Sequence, residues 1–247
     1  MPTSKIVVYI YKDLDKLSRQ AADRFIQIAD KAICAKKRFF VALSGGKTPK
    51  PMYELLKQPQ YRNQIDWTKV YIFWSDERFI PYTDPESNYG LAKISLLDAL
   101  PIPPENVFSI KTEKISAEES SDKYSQLITD LLGSSPCFDL ILLGIGPDGH
   151  TASLFPNTEE LRNPSGKLVV AVCNSPKPPT NRISFTWKLI NNSKNIIFSV
   201  AGKDKVDAIQ KILKGPYDPV RFPAQGVKPT KGNLIWLLDQ QAASHLK

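Results

Sequence analysis

Seven runs of five or six residues, at 6–11, 39–43, 70–74, 138–143, 168–173, 195–200 and 234–238, are apolar almost throughout. A strand with one face in water alternates apolar and polar residues, whereas a strand buried on both faces does not. Helical patterns lie between most of these runs. Leu14, Leu17, Ala21, Phe25, Ile28 and Ala32 recur at spacings of three and four, the stripe of an amphipathic helix. Further helical patterns cover 51–57, 89–99, 117–132 and 203–213, and Ser116 with Glu119 three residues on forms a capping box for the 117–132 pattern. Buried strands alternating with helices predict an α/β fold: a doubly wound, mostly parallel sheet with helices on both faces. No internal repeat or flexible linker interrupts the pattern, and the prolines at 101–104, 176–179 and 216–229 read as rigid crossings. Residues 1–247 are therefore read as a single domain.

Composition enters through what it excludes. With 42% hydrophobic and 23% charged residues the chain is of the ordinary globular kind. Its apolar runs are too short to span a bilayer, and the N-terminal MPTSKIVVYIYKD lacks the features of a secretion signal, so a cytoplasmic protein without membrane contact is expected. Cys34, Cys137 and Cys173 are few and far apart, with apolar neighbours, and are expected to be reduced core thiols. The net charge of +8 raises the question of nucleic acid. The basic residues are scattered, however, and the short groups at 36–38 and 111–114 lack interleaved aromatics. A solvated basic face, with a field that draws in a small anion, is the expectation.

Four loops that follow strand ends carry more polar groups than a turn needs. Ser44, Gly45, Gly46, Lys47 and Thr48 follow the 39–43 run; the glycines permit close backbone approach to an anion, and the plainer alternative is a strand-to-helix turn with Thr48 as N-cap. Asp76, Glu77 and Arg78 follow the 70–74 run, either as a surface salt-bridge cluster capping the next helix or as a substrate-facing set with Arg78 as a fork for phosphate or carboxylate. After the 138–143 run comes GIGPDGH, where Asp148 stands two residues before His150. An imidazole, with an unperturbed pKa of about 6.5, suits general-base work, and a neighbouring carboxylate fixes its tautomer. His245, near the C-terminus, is expected to be solvated. The fourth loop, PKPPTNR, stiffens the approach to Arg182, and Lys205 opens a later helix after the 195–200 run. No metal-ligand spacing and no G-x-S-x-G elbow is present. One histidine, acidic neighbours and separated cations fit general-base hydrolysis of a phosphate-bearing small molecule.

The segments LSGGKTP, WSDERFIPYTDPESNYG, FDLILLGIGPDGHTASLFP and KPPTNRIS, in this order, resemble the 6-phosphogluconolactonase family, within the superfamily of glucosamine-6-phosphate isomerases and 6-phosphogluconolactonases. The resemblance extends over nearly the whole chain. It implies hydrolysis of 6-phospho-D-glucono-1,5-lactone to 6-phosphogluconate, the second step of the oxidative pentose phosphate pathway. It also implies His150 as general base and Asp148 and Asp76 as polar supports. Arg78 and Arg182 become substrate cations, with Lys205 and the loop of Gly45, Gly46, Lys47 and Thr48 at the phosphate. The expected partner is a small phosphorylated sugar lactone. No cofactor, metal, nucleic acid or membrane is expected, and the chain is expected to be a monomer or weak homodimer. Lys47 stands where the family usually has serine, and Ser184 where it often has threonine. The rival readings are a glucosamine-6-phosphate deaminase or isomerase and a non-catalytic sugar-phosphate-binding regulator. Deaminases carry a histidine-orienting glutamate five residues after the histidine; here that residue is Phe155.

Overall fold

The computed structural model describes residues 5–162 and 166–246. Among the described residues nine strands run in chain order: β1 (Lys5–Tyr11), β2 (Phe39–Leu43), β3 (Val70–Trp74), β4 (Asp76–Arg78), β5 (Leu140–Leu143), β6 (Val169–Val172), β7 (Arg182–Phe185), β8 (Asn195–Val200) and β9 (Asn233–Asp239). The helices are α1 (Leu14–Lys36), α2 (Lys50–Leu56), α3 (Pro59–Arg62), α4 (Asn88–Ser95), α5 (Ala117–Leu132), α6 (Glu159–Arg162), α7 (Trp187–Asn191) and α8 (Val206–Lys214).

Six strands form one sheet in the order β1-β9-β8-β5-β2-β3, and every pairing within it is parallel. β2 and β5 are buried at every position, as runs without polar alternation require. Successive side chains of a strand point to opposite faces, and the two faces of this sheet are covered differently. Phe39 meets Phe25 of α1 edge-on at 5.4 Å. Phe40, its neighbour, lies 6.2 Å from Phe73, which packs at 5.1 Å on Phe138 and through it on Phe185 of β7. Tyr124 of α5 seals this second layer: its hydroxyl accepts from Trp74 N–H and donates to the Phe108 carbonyl. α1 starts at Asp13, whose carboxylate accepts from Lys16 N–H, and ends with Lys37 in the left-handed conformation.

The second layer contains a departure from the sequence expectation. The 168–173 run is not a strand of the parallel sheet. Its β6 pairs antiparallel with β7, which pairs antiparallel with β4, in a separate three-stranded sheet. β4 consists of three charged residues and β7 of four mixed ones, so neither carries the apolar run by which a buried strand is recognised.

The cysteines also differ from expectation. Cys34 and Cys173 are exposed and Cys137 is half-buried, so they are not core residues, and no disulfide forms among the described residues. His245 is exposed, as expected. Ser116 caps α5 by accepting from Glu119 N–H, while the Glu119 carboxylate turns to Lys123 rather than back to the cap. No described helix is long and apolar enough to cross a membrane.

From β2 the chain moves outward to β3 on one side, and from β5 it moves to β8 and β9 on the other. The crevice between the carboxyl ends of β2 and β5 is thus the switch point of the sheet, where open α/β sheets bind ligands.

Candidate active site

At that crevice lies a cavity of about 390 Å³. Its lining includes Gly45, Gly46, Lys47 and Thr48 after β2, Asp76 and Arg78 on β4, His150 after β5, Arg182 on β7 and Lys205 after β8. These are the residues singled out from sequence, gathered from five parts of the chain. Asp148 is not among the lining residues but pairs with the imidazole that is.

The loop after β5 builds the centre of the site. His150 Nδ1 lies 2.6 Å from Asp148 Oδ1. Burial alone would raise the Asp148 carboxyl, but the His150 hydrogen bond and the Lys177 ammonium outweigh it and hold the group well below the usual carboxylate range. An ionised carboxylate only accepts, so Nδ1 carries the hydrogen and Nε2 is left as the acceptor. Gly146 makes this pairing possible: a Cβ there would lie 2.0 Å from His150 Nδ1 and 2.3 Å from Asp148 Oδ1. Gly149 has φ +84°, a conformation that favours glycine. Phe155 lies against the imidazole with centroids 4.4 Å apart. The position held by glutamate in deaminases therefore does face the histidine here, with an apolar ring.

The N–H groups of Gly146, Gly149 and His150 serve the loop itself. Gly146 N–H donates to the His150 carbonyl and Gly149 N–H to the Gly146 carbonyl, while His150 N–H approaches Asp148 Oδ1 at 3.4 Å. These three N–H groups are thus already engaged within the loop. In the β2 loop, by contrast, the N–H groups of Gly45, Gly46 and Lys47 form no hydrogen bond with the described residues. Thr48 is not a helix cap: α2 starts after Pro49 without a side-chain cap bond. Gly46 has φ +92°. Gly45 serves packing, since a Cβ there would meet Asn88 Oδ1 at 1.7 Å.

The charged triplet after β3 sorts itself by strand geometry. β4 and β7 are antiparallel, with Asp76 opposite Ser184, Glu77 opposite Ile183 and Arg78 opposite Arg182. Alternation places Asp76, Arg78, Arg182 and Ser184 on one face and Glu77 on the other. The first face supplies the cavity with Asp76, Arg78 and Arg182. Asp76 accepts from Ser153 Oγ at 2.7 Å, and Ser153 N–H donates to Ser184 Oγ. Glu77, 1% exposed, accepts from the N–H groups of Arg78, Asn88 and Tyr89 and from Ser87 Oγ. Burial pushes its carboxyl up to about 7 against the pull of those amides. The triplet is therefore no surface salt-bridge cluster, although Glu77 does cap α4.

Arg78 and Arg182 oppose one another directly, an arrangement of like charges that is destabilising unless an anion lies between or beside them. Arg182 is 4% exposed, and burial pushes its guanidinium below the ordinary value. Its Nε donates to the Pro179 carbonyl and its Nη2 to those of Pro178 and Lys177. The fork expected from sequence to face a ligand is thus occupied by the proline-rich loop, leaving only Nη1. Arg78 commits Nη1 to the Glu86 carbonyl, and its buried Nε has no hydrogen-bond partner among the described residues. Lys205 pairs with Asp204 at 2.9 Å.

Three site features escaped the sequence reading. Asn88 lines the cavity and anchors to the Asp76 carbonyl, and Asp204 lines it beside Lys205. Lys177 Nζ holds Asp148 Oδ2 at 3.0 Å. The first two lay within segments already marked. Lys177 carried no signal beyond its proline-rich setting. No group of three or more His, Cys, Asp or Glu side chains suited to a metal occurs among the described residues.

The family profile described as Glucosamine-6-phosphate isomerases/6-phosphogluconolactonase matches residues 12–236. A 6-phosphogluconolactonase of Synechocystis sp. is 40% identical over 88% of this chain and 88% of its own length. One from Nostoc sp. is 36% identical over 98% of this chain and 99% of its own. The solved 6-phosphogluconolactonase of Trypanosoma cruzi superposes with a TM-score of 0.86 at 28% identity, covering 100% of this chain and 98% of that one. The chain belongs to the glucosamine-6-phosphate isomerase/6-phosphogluconolactonase family.

Proposed function

We propose that this chain hydrolyses 6-phospho-D-glucono-1,5-lactone to 6-phosphogluconate, the second step of the oxidative pentose phosphate pathway, with His150 as general base. The observation that carries the reading is the 2.6 Å pairing with Asp148 of a His150 that lines one cavity with two opposed arginines. A lactone is an activated ester, and water is its co-substrate. His150 Nε2 takes a proton from water as the oxygen attacks C1, and the imidazolium is stabilised by Asp148. The tetrahedral intermediate collapses with cleavage of the C1–O5 bond, and the proton passes to O5. General-base help of this kind is worth roughly 10² to 10⁴ in rate.

Phosphate recognition falls to Arg78, to Arg182 Nη1, to Lys47 and Lys205, and to the open amides of the β2 loop. The distant phosphate positions the ring, so that binding lowers the entropic cost of attack. Asp76, fixed by Ser153, supports this end as a polar anchor. The chain acts as one domain in this reading, supported by a main hydrophobic cluster that, among the described residues, extends from Leu17 to Ala243. The deaminase alternative is disfavoured by Phe155, whose apolar ring cannot orient the imidazole by charge.

The test is lactone hydrolysis corrected for the spontaneous reaction. His150→Ala is expected to lose roughly 10²-fold or more in kcat while binding 6-phosphogluconate about as well as the wild type. Near-wild-type turnover would remove His150 from the mechanism. Release of ammonia from glucosamine 6-phosphate would overturn the choice of substrate.

A further inference from the structure

Behind the Asp148–His150 pair stands a third charged group. Lys177, on the loop between β6 and β7, places its Nζ 3.0 Å from Asp148 Oδ2 and 3.5 Å from His150 Nδ1. Asp148 is thereby held from both sides, by the imidazole on one oxygen and the ammonium on the other. The Lys177 backbone is fixed as well: its carbonyl accepts from Ser175 Oγ and from Arg182 Nη2. One residue therefore ties the histidine pair to the buried arginine of the cavity wall. Lys177 is not among the residues that line the cavity, and its ammonium pairs with the Asp148 carboxylate.

We propose that Lys177 is a positioning residue for hydrolysis: it locks Asp148 in the orientation that keeps the hydrogen on His150 Nδ1, and its charge disfavours the imidazolium. The proposal rests on His150 as general base. Two forces act on the imidazole in opposite senses. Asp148 alone would stabilise the protonated ring. Lys177 both shares the carboxylate's charge and repels a second cation. The other charged groups near the ring are Arg182, whose guanidinium lies over the Phe155 ring, and Lys47, Asp76, Arg78, Asp204 and Lys205 around the cavity. Among the described residues, the side chains in hydrogen-bond contact with the imidazole are those of Asp148 and Lys177. Removing the ammonium therefore frees Asp148 to hold an imidazolium, and both changes act in the same direction.

The experiment compares wild type with Lys177→Met, which keeps the length and loses the charge, and Lys177→Arg, which keeps the charge. The chain has two histidines, so the imidazole resonances are directly readable by NMR, with exposed His245 as internal reference. In Lys177→Met the titration midpoint of His150 is expected to move to higher pH, while that of His245 stays put. In parallel kcat at acid pH falls several-fold relative to wild type, with KM little changed, and the loss shrinks as pH rises. Lys177→Arg restores most of both. An unmoved His150 midpoint in a folded Lys177→Met protein overturns the proposal. So does a pH-independent rise in KM, which would make Lys177 a substrate cation. The NMR readout needs no catalysis: a shifted midpoint with unchanged kcat at acid pH would refute His150 as base, not the coupling of Lys177 to it.

Discussion

Gly146 shows how a residue without a side chain decides a site. The imidazole and the Asp148 carboxylate occupy the space its Cβ would take. Gly146→Ala is expected to push the ring off its line and lower kcat by about 100-fold, the usual cost of a misplacement near 1 Å, while Tm moves little because the half-buried pair can yield. Circular-dichroism melting beside initial rates checks both parts. The two arginines differ in a way that their names do not reveal. Arg182 spends three hydrogen bonds on its own loop, so Arg182→Ala lowers stability as well as affinity. Arg78→Ala is the cleaner probe. It is expected to weaken binding of the phosphorylated lactone by roughly 1.5–3 kcal/mol, the worth of a hydrogen bond to a charged group, and to change hydrolysis of unphosphorylated gluconolactone far less. Equal losses on both substrates would remove Arg78 from the phosphate.

At the scale of elements, β4 is the piece on which the site depends. As a strand it sends Asp76 and Arg78 toward the cavity and Glu77 into the protein, where the carboxylate ties β4 to the start of α4. That tie has a pH signature. The Glu77 carboxyl is raised by burial from 4.5 to about 7 in the folded state, so folding takes up a proton there. Its contribution to stability is fully present below about pH 4.5 and is lost as pH rises through 7, by at most roughly 3 kcal/mol. Glu77→Gln, neutral at every pH, has no such dependence. The difference in Tm between wild type and Glu77→Gln is therefore expected to shift against the wild type between pH 4.5 and 7, and to level off above 8. Parallel curves across that range would show that the amides, not burial, govern the carboxyl.

For the whole molecule the relevant quantity is the field. A net charge of +8 surrounds a cavity whose wall carries Lys47, Arg78, Arg182 and Lys205 against Asp76 and Asp204. Such a field steers anions toward the crevice and is screened within about 8 Å at physiological ionic strength. kcat/KM for the phosphorylated lactone is expected to fall several-fold between 20 mM and 500 mM salt, while that for the neutral lactone stays nearly flat. Stopped-flow or pH-stat rates at fixed pH test this. Equal salt dependence for both substrates would mean that the field plays no part in capture.

The sequence by itself determined the parallel sheet, because strands buried on both faces must be apolar at every position, and the runs at 39–43, 70–74 and 195–200 became strands with those bounds. It also determined the glycine loop around His150, since backbone that bends sharply beside an imidazole leaves few other residue types available. What it left open was whatever depends on partners distant in the chain. The 168–173 run looked like one more parallel strand because apolar content reports burial, not neighbours, and its true partner β7 lacks a run of its own. Asp76, Glu77 and Arg78 read alike as adjacent charges until pairing with β7 put them on opposite faces. Arg182 looked free until the Lys177, Pro178 and Pro179 carbonyls closed on it, and Lys177 gained a role only when folding brought it to Asp148, 29 positions earlier in the chain. Local sequence sets which residues are buried and where the backbone turns; only the packed structure decides which charge each polar side chain meets, because those meetings depend on strand register and on contacts across the sheet edge.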